Sequence, residues 1–68
     1  MTVYLLTEIP FFEGQPQIIG CFDAYDKARN VADRKMEGIK PWQTFTIGHE
    51  WFNADYETVI KIEAVEVQ

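Results

Sequence analysis

The chain is short of the residues that build reactive centres. Among its 68 residues there is one cysteine, Cys21, and one histidine, His49. A single thiol excludes an internal disulfide and a cysteine-based zinc site, and it fits a reducing compartment. A dimer disulfide through Cys21 is not expected, because the residue falls in a strand that reads as buried. A single imidazole excludes a histidine pair at i, i+4, and no D-x-D-x-D-G calcium loop is present. The glycines at 14, 20, 38 and 48 are scattered, so no loop of them can cradle a phosphate. Basic residues are scarce: six Lys and Arg stand against eleven Asp and Glu, a formal net charge of −5. Binding to DNA or RNA draws its affinity from cations set against phosphates, so no direct nucleic-acid binding is expected, nor binding to anionic membrane surfaces. The charge suits solubility and admits a basic protein partner. No apolar run approaches the roughly 20 residues of a membrane span. The opening "MTVYLLTEIP" has no basic n-region, and Thr7 and Glu8 break its apolar run, so no signal peptide is expected and the expected location is cytoplasmic.

What is present is ordinary globular material, 47% hydrophobic and 25% charged, which argues against disorder. No repeat, low-complexity tract or linker divides the chain, so a single domain over residues 1–68 is expected. "TVYLLTEI" alternates, with Val3, Leu5, Thr7 and Ile9 on one face and Tyr4, Leu6 and Glu8 on the other. Pro10 ends, bulges or edges that strand. "EGQP" is turn chemistry, and "QIIGCF" is a second, β-branched strand that forms an antiparallel hairpin with the first. "FDAYDKARNVADRKMEG" predicts a helix. Asp23 is its expected N-cap, and Ala24, Ala28, Val31, Ala32 and Met36 form its apolar stripe. Gly38 and Pro41 provide its stop. "QTFTIGHEWFN" predicts a third strand, with Phe45, Ile47, His49 and Trp51 sharing a face. "ETVIKIEAVEV" predicts a long fourth strand. Its pattern slips, which calls for a bulge near Glu63–Ala64 or burial of both faces at one end. The expected fold is α+β, ββαββ, with one helix packed on one face of a four-stranded antiparallel sheet.

"VYLL", a turn, and then "IIGCFDAYDKARNVAD" resemble a type of small uncharacterised bacterial and bacteriophage domain. Such domains have a V-Y-L strand, a second strand ending I-G-x-F/Y, and an alanine-spaced helix with an acidic or serine start. The resemblance covers the first half of the chain. It implies an accessory protein of a microbe or its virus, and it transfers no active site.

No catalytic set assembles from the sequence. On a strand, Glu50 faces away from its neighbour His49. Cys21 with His49 as a nucleophile pair would need both on one sheet face beside an open pocket. Gly20 and Gly48, inside strands, mark bulges or close backbone approach to the helix. Along the helix Lys27, Arg29, Arg34 and Lys35 interleave with Asp23, Asp26, Asp33 and Glu37. That is a solvated charged face rather than the unbroken negative stripe of a nucleic-acid mimic.

The aromatic share is 15%, and much of it falls at turns. Phe22, Phe45 and Tyr4 suit the core. Phe11, Phe12, Trp42, Trp51, Phe52 and Tyr56 lie in or beside predicted turns, where each either caps a thin core or anchors a partner. The expected topology puts Trp42 near Phe11 and Phe12, and puts Trp51, Phe52 and Tyr56 at the opposite end, near the helix start. The functional expectation is a small acidic protein-binding module that is not an enzyme and uses no cofactor or metal. Joined to the resemblance, it becomes a phage or mobile-element accessory protein. Such a protein docks on and inhibits a larger host nucleic-acid-handling or defence protein, such as a CRISPR effector. The alternative is a self-associating, homodimeric structural or regulatory domain.

Overall fold

The computed structural model describes residues 1–10, 14–38, 42–54 and 57–68. Phe11, Phe12 and Tyr56, three of the expected binding residues, lie outside them. The described elements are β1 (Thr2–Pro10), β2 (Gln17–Phe22), α1 (Tyr25–Met36), β3 (Gln43–Thr46), β4 (Glu50–Asn53) and β5 (Thr58–Glu66). They form one five-stranded sheet in the order β2-β1-β5-β4-β3, with every neighbouring pair antiparallel. The α+β class with a single helix is as expected, but the four-stranded ββαββ count is corrected to ββαβββ. The expected third strand is a hairpin. Gly48, at φ +77°, turns the chain within Ile47–His49, and Thr46 comes back opposite Glu50. A three-residue loop with glycine in the left-handed region is a standard hairpin connection.

This reversal changes which end of the molecule each turn occupies. Asn53 pairs with Thr58, and Thr58 pairs with Pro10. The chain leaving β4 therefore sits beside the end of β1, not at the opposite end as the four-stranded topology implied. The turn at Gly48 takes the place near the helix start instead.

The long strands β1 and β5 pair without interruption from Thr2–Glu66 to Pro10–Thr58. The slip in the β5 pattern therefore reflects burial on both faces at one end, where adjacent Val59 and Ile60 are both buried, and not a bulge at Glu63–Ala64. The bulge lies in β2 instead. Leu6 faces Gly20 while Thr7 faces Ile18, which leaves Ile19 as the extra residue. Gly20 adjoins it, and the close approach there comes from the Phe22 side chain, which a larger residue would have to displace, and not from the helix. A Cβ at position 20 would lie 2.8 Å from the Phe22 ring.

Directly paired residues of antiparallel strands project to the same face. Leu6, Ile60, Ile62 and Trp51 thus share one face, and they cluster with Ala28 and Ala32 of the helix. The alanine stripe lets the helix lie close to the sheet. Tyr4, Ile19, Phe22, Tyr25, Val31, Met36 and Trp42 close the rim of this core. The helix starts one residue later than expected. Ala24 occupies the N-cap without a side-chain hydrogen bond, and Asp23 pairs instead with Lys27 at 2.7 Å. That pairing holds the Asp23 carboxyl below its ordinary range. At the other end Gly38 follows the C-cap with φ +78°, the role predicted for it.

Candidate functional site

The helix covers one face of the sheet, and no described element covers the other. The register assigns that second face. Val3, Leu5, Thr7 and Ile9 of β1 stand beside Val65, Glu63, Lys61 and Val59 of β5. Phe52 pairs with Val59 and Glu50 with Lys61, while Cys21 and Ile18 of β2 border Leu5 and Thr7. Phe45 stacks on Phe52 with ring centroids 5.3 Å apart and planes 10° from parallel. Two apolar patches result. One holds Ile9, Val59, Phe52 and Phe45. The other holds Val3, Leu5, Val65 and Ile18. Lys61, Glu50, Glu63 and Thr7 run between them. Ile18 is 68% exposed, Phe45 57% and Val65 36%.

The polar groups of this face are unequally engaged. The Thr46 hydroxyl donates to Glu50 Oε1 at 2.8 Å. Lys61 and Glu63 take part in none of the ion pairs among the described residues, which join Asp23–Lys27, Arg29–Asp33, Glu8–Lys35 and the Met1 ammonium with Glu66.

A second cluster ties the β3–β4 turn to the helix. The Tyr25 hydroxyl donates to the Gly48 carbonyl and accepts from Arg29 at 3.2 Å. Arg29 Nε donates to Asp33 Oδ1 at 2.9 Å, and the guanidinium lies 4.8 Å from the centroid of the Trp51 ring. The hydrogen bond to Asp33, followed by that to Tyr25, raises the Arg29 pKa. Tyr25 also meets His49 edge-on at 6.2 Å and Tyr4 at 6.0 Å. Tyr25, Arg29, Asp33 and the Gly48 carbonyl satisfy one another, so the cluster fastens the hairpin to the helix. The Cys21–His49 pair is not assembled: Cys21 lies in β2, and His49 adjoins β4, beyond both β1 and β5. Cys21 is exposed, where a buried position was expected. Among the described residues no three His, Cys, Asp or Glu side chains group to hold a metal, and no helix is long and apolar enough to cross a membrane.

Protein-family models, curated proteins and solved structures return no match to this chain.

The expected binding residues separate accordingly. Trp51 is 6% exposed and belongs to the core beneath Arg29. Trp42 is half-buried at the core rim, and its indole N–H has no acceptor among the described residues. Phe52 is half-buried on the open face. Phe45, assigned to the core by its alternation, is its exposed stacking partner. Ile18 and Val65 were missed as surface residues. The signal for them was the count of faces, since one helix can cover only one side of a sheet.

Proposed function

We propose that the protein is a non-enzymatic docking module and that its contact surface is the helix-free face of the sheet. The observation that carries this reading is the exposed apolar surface on that face at Ile18, Phe45 and Val65, over which no described element packs. Exposed contiguous apolar surface rimmed by polar residues favours association with another macromolecule. Phe52 on Phe45 supplies an aromatic centre of the kind enriched in interface cores. In its sharper form the module is a phage-type accessory protein that inhibits a larger, basic host protein. The acidic charge and the resemblance in the first half of the chain support that form.

The test places charge on each surface in turn. Ile18→Lys and Val65→Lys alter the open face, and Asn30→Lys alters the exposed helix surface. Binding of an apolar fluorescent dye and mass by light scattering are read beside circular dichroism. Loss of dye binding and of association in the two face variants alone, with folding intact, supports the reading. Face variants that match wild type in both assays refute it.

A further inference from the structure

We infer that the occupant of the open face is a second copy of this chain, stacked sheet on sheet about a two-fold axis that lies between the sheets and passes over β5 at Ile62. This rests on the docking reading above and names the partner. The argument is one of charge placement. Lys61 and Glu63 are alternate residues of the central strand, so both project from the open face, about 6.8 Å apart. Opposite charges spaced two residues apart are self-complementary under one particular operation. An axis midway between them, perpendicular to the strands and in the plane between the sheets, reverses the strand direction. It sets Lys61 over Glu63 of the second copy and Glu63 over its Lys61. The same operation lays the Ile9–Val59 row over the Val3–Val65 row, apolar on apolar. An axis parallel to the strands would instead set Lys61 against Lys61 and is excluded by repulsion. Neither side chain has an ion-pair partner within its own chain among the described residues. Glu50, which faces Lys61 from β4, is held by Thr46.

The dimensions suit a weak pair. β4 pairs with β5 only from Thr58 to Lys61, so the stacked strands are β1 and β5 over the rows from Val59 to Val65 and β2 beside part of them. That is a flat footprint of about 15 by 20 Å, on the order of 300 Å² per copy. Side-chain relief brings the total buried by two copies to roughly 700–800 Å², short of the roughly 1,000 Å² of a stable interface. The expected dimer is therefore weak and transient, and the sheets pack about 10 Å apart with strands near 30°.

The test is a charge exchange read by sedimentation equilibrium. Lys61→Glu and Glu63→Lys each weaken self-association by at least about tenfold, because each sets like charges face to face. An equimolar mixture of the two variants recovers a heterodimer, and the double variant Lys61→Glu/Glu63→Lys recovers a homodimer. Recovery excludes misfolding as the cause of the single losses. A wild type that stays monomeric to near-millimolar concentration overturns the inference. If that monomer still binds apolar dye through Ile18 and Val65, the docking reading stands and its partner is foreign. If dye binding ignores both residues, the two readings fail together. A dimer whose dissociation constant is unchanged in all three variants also overturns the inference, since the copies then meet elsewhere.

Discussion

Leu5 and Leu6 are neighbours of identical chemistry on β1, and the register sends them to opposite faces. Leu6 is fully buried, paired with Ile62 on one side and Gly20 on the other, in the cluster with Ala28 and Ala32. Its truncation to alanine loses the transfer free energy of the side chain and leaves a cavity that the flanking backbone cannot close, a cost of about 3–4 kcal/mol. Leu5 is half-buried on the open face, where truncation removes apolar contact but encloses no void, a cost of about 1 kcal/mol. A domain of this length has roughly 3–10 kcal/mol of total stability, so Leu6→Ala leaves the protein near the edge of folding. Leu5→Ala leaves most of that stability intact. Urea unfolding followed by circular dichroism, at matched slopes, measures the difference. Equal losses, or a larger loss in Leu5→Ala, would refute the assigned register, because a slip of one residue exchanges every side chain between the faces. The proposed dimer would add a second signature. The cost at Leu5 grows with protein concentration, whereas the cost at Leu6 does not change.

Gly48→Ala forces a side chain into the left-handed region and sets its Cβ 3.1 Å from the Tyr25 hydroxyl, so a loss of about 1–2 kcal/mol is expected. Combined with Tyr25→Phe the loss is less than additive, and strict additivity would uncouple the turn from the helix. Glu66 is held below its ordinary pKa of 4.5, first by the Thr2 hydroxyl and then by the Met1 ammonium, and Asp23 below 3.8 by Lys27. Both shifts are downward, so the stability they contribute is complete above the unfolded values and is lost as pH falls through the lowered folded ones. Melting temperature is therefore flat near neutrality and declines below about pH 4, and Glu66→Gln shallows that decline. Cys21 reacts with a thiol reagent in the native, dilute protein at a rate close to that of a free thiol. A reaction that waits for denaturant would contradict its exposed position on β2.

The helix, its alanine stripe and the first hairpin were legible because their periods were clean and their stops were glycine and proline. The hairpin of β3 and β4 was not. "QTFTIGHEWFN" alternates without a break, and a lone glycine in such a run reads as a bulge. What distinguishes a turn is the left-handed backbone at Gly48 and the Tyr25 hydroxyl waiting on its carbonyl, a partner 23 residues away. Missing that reversal also misplaced Phe45. Continuous alternation puts it with Trp51, whereas the hairpin pairs Trp51 with Thr44 and stacks Phe45 on Phe52. The N-cap was misread for a local reason. Lys27, one turn on, attracts the Asp23 carboxylate that would otherwise accept from the helix amides. Of the aromatic pair on the candidate surface, Phe52 was visible among the aromatics at turns and Phe45 was not. The aliphatic part was not visible, because Ile18 and Val65 look like core residues until it is known that one helix covers one face.

The strand order also sets a sequence of events for a chain emerging from the ribosome. The hairpin of β1 and β2 can form early, and that of β3 and β4 soon after. The centre of the sheet is the contact between β1 and β5, which joins residues as far apart as Thr2 and Glu66. Until β5 arrives, β1 presents a nine-residue unpaired edge, and Leu6 lacks its partner Ile62. Closing so long a loop makes a pairing slow to form, and an open edge of that length is a template for any passing strand. The hazard for this molecule therefore lies in its last step of folding, when two finished hairpins wait for the strand that joins them.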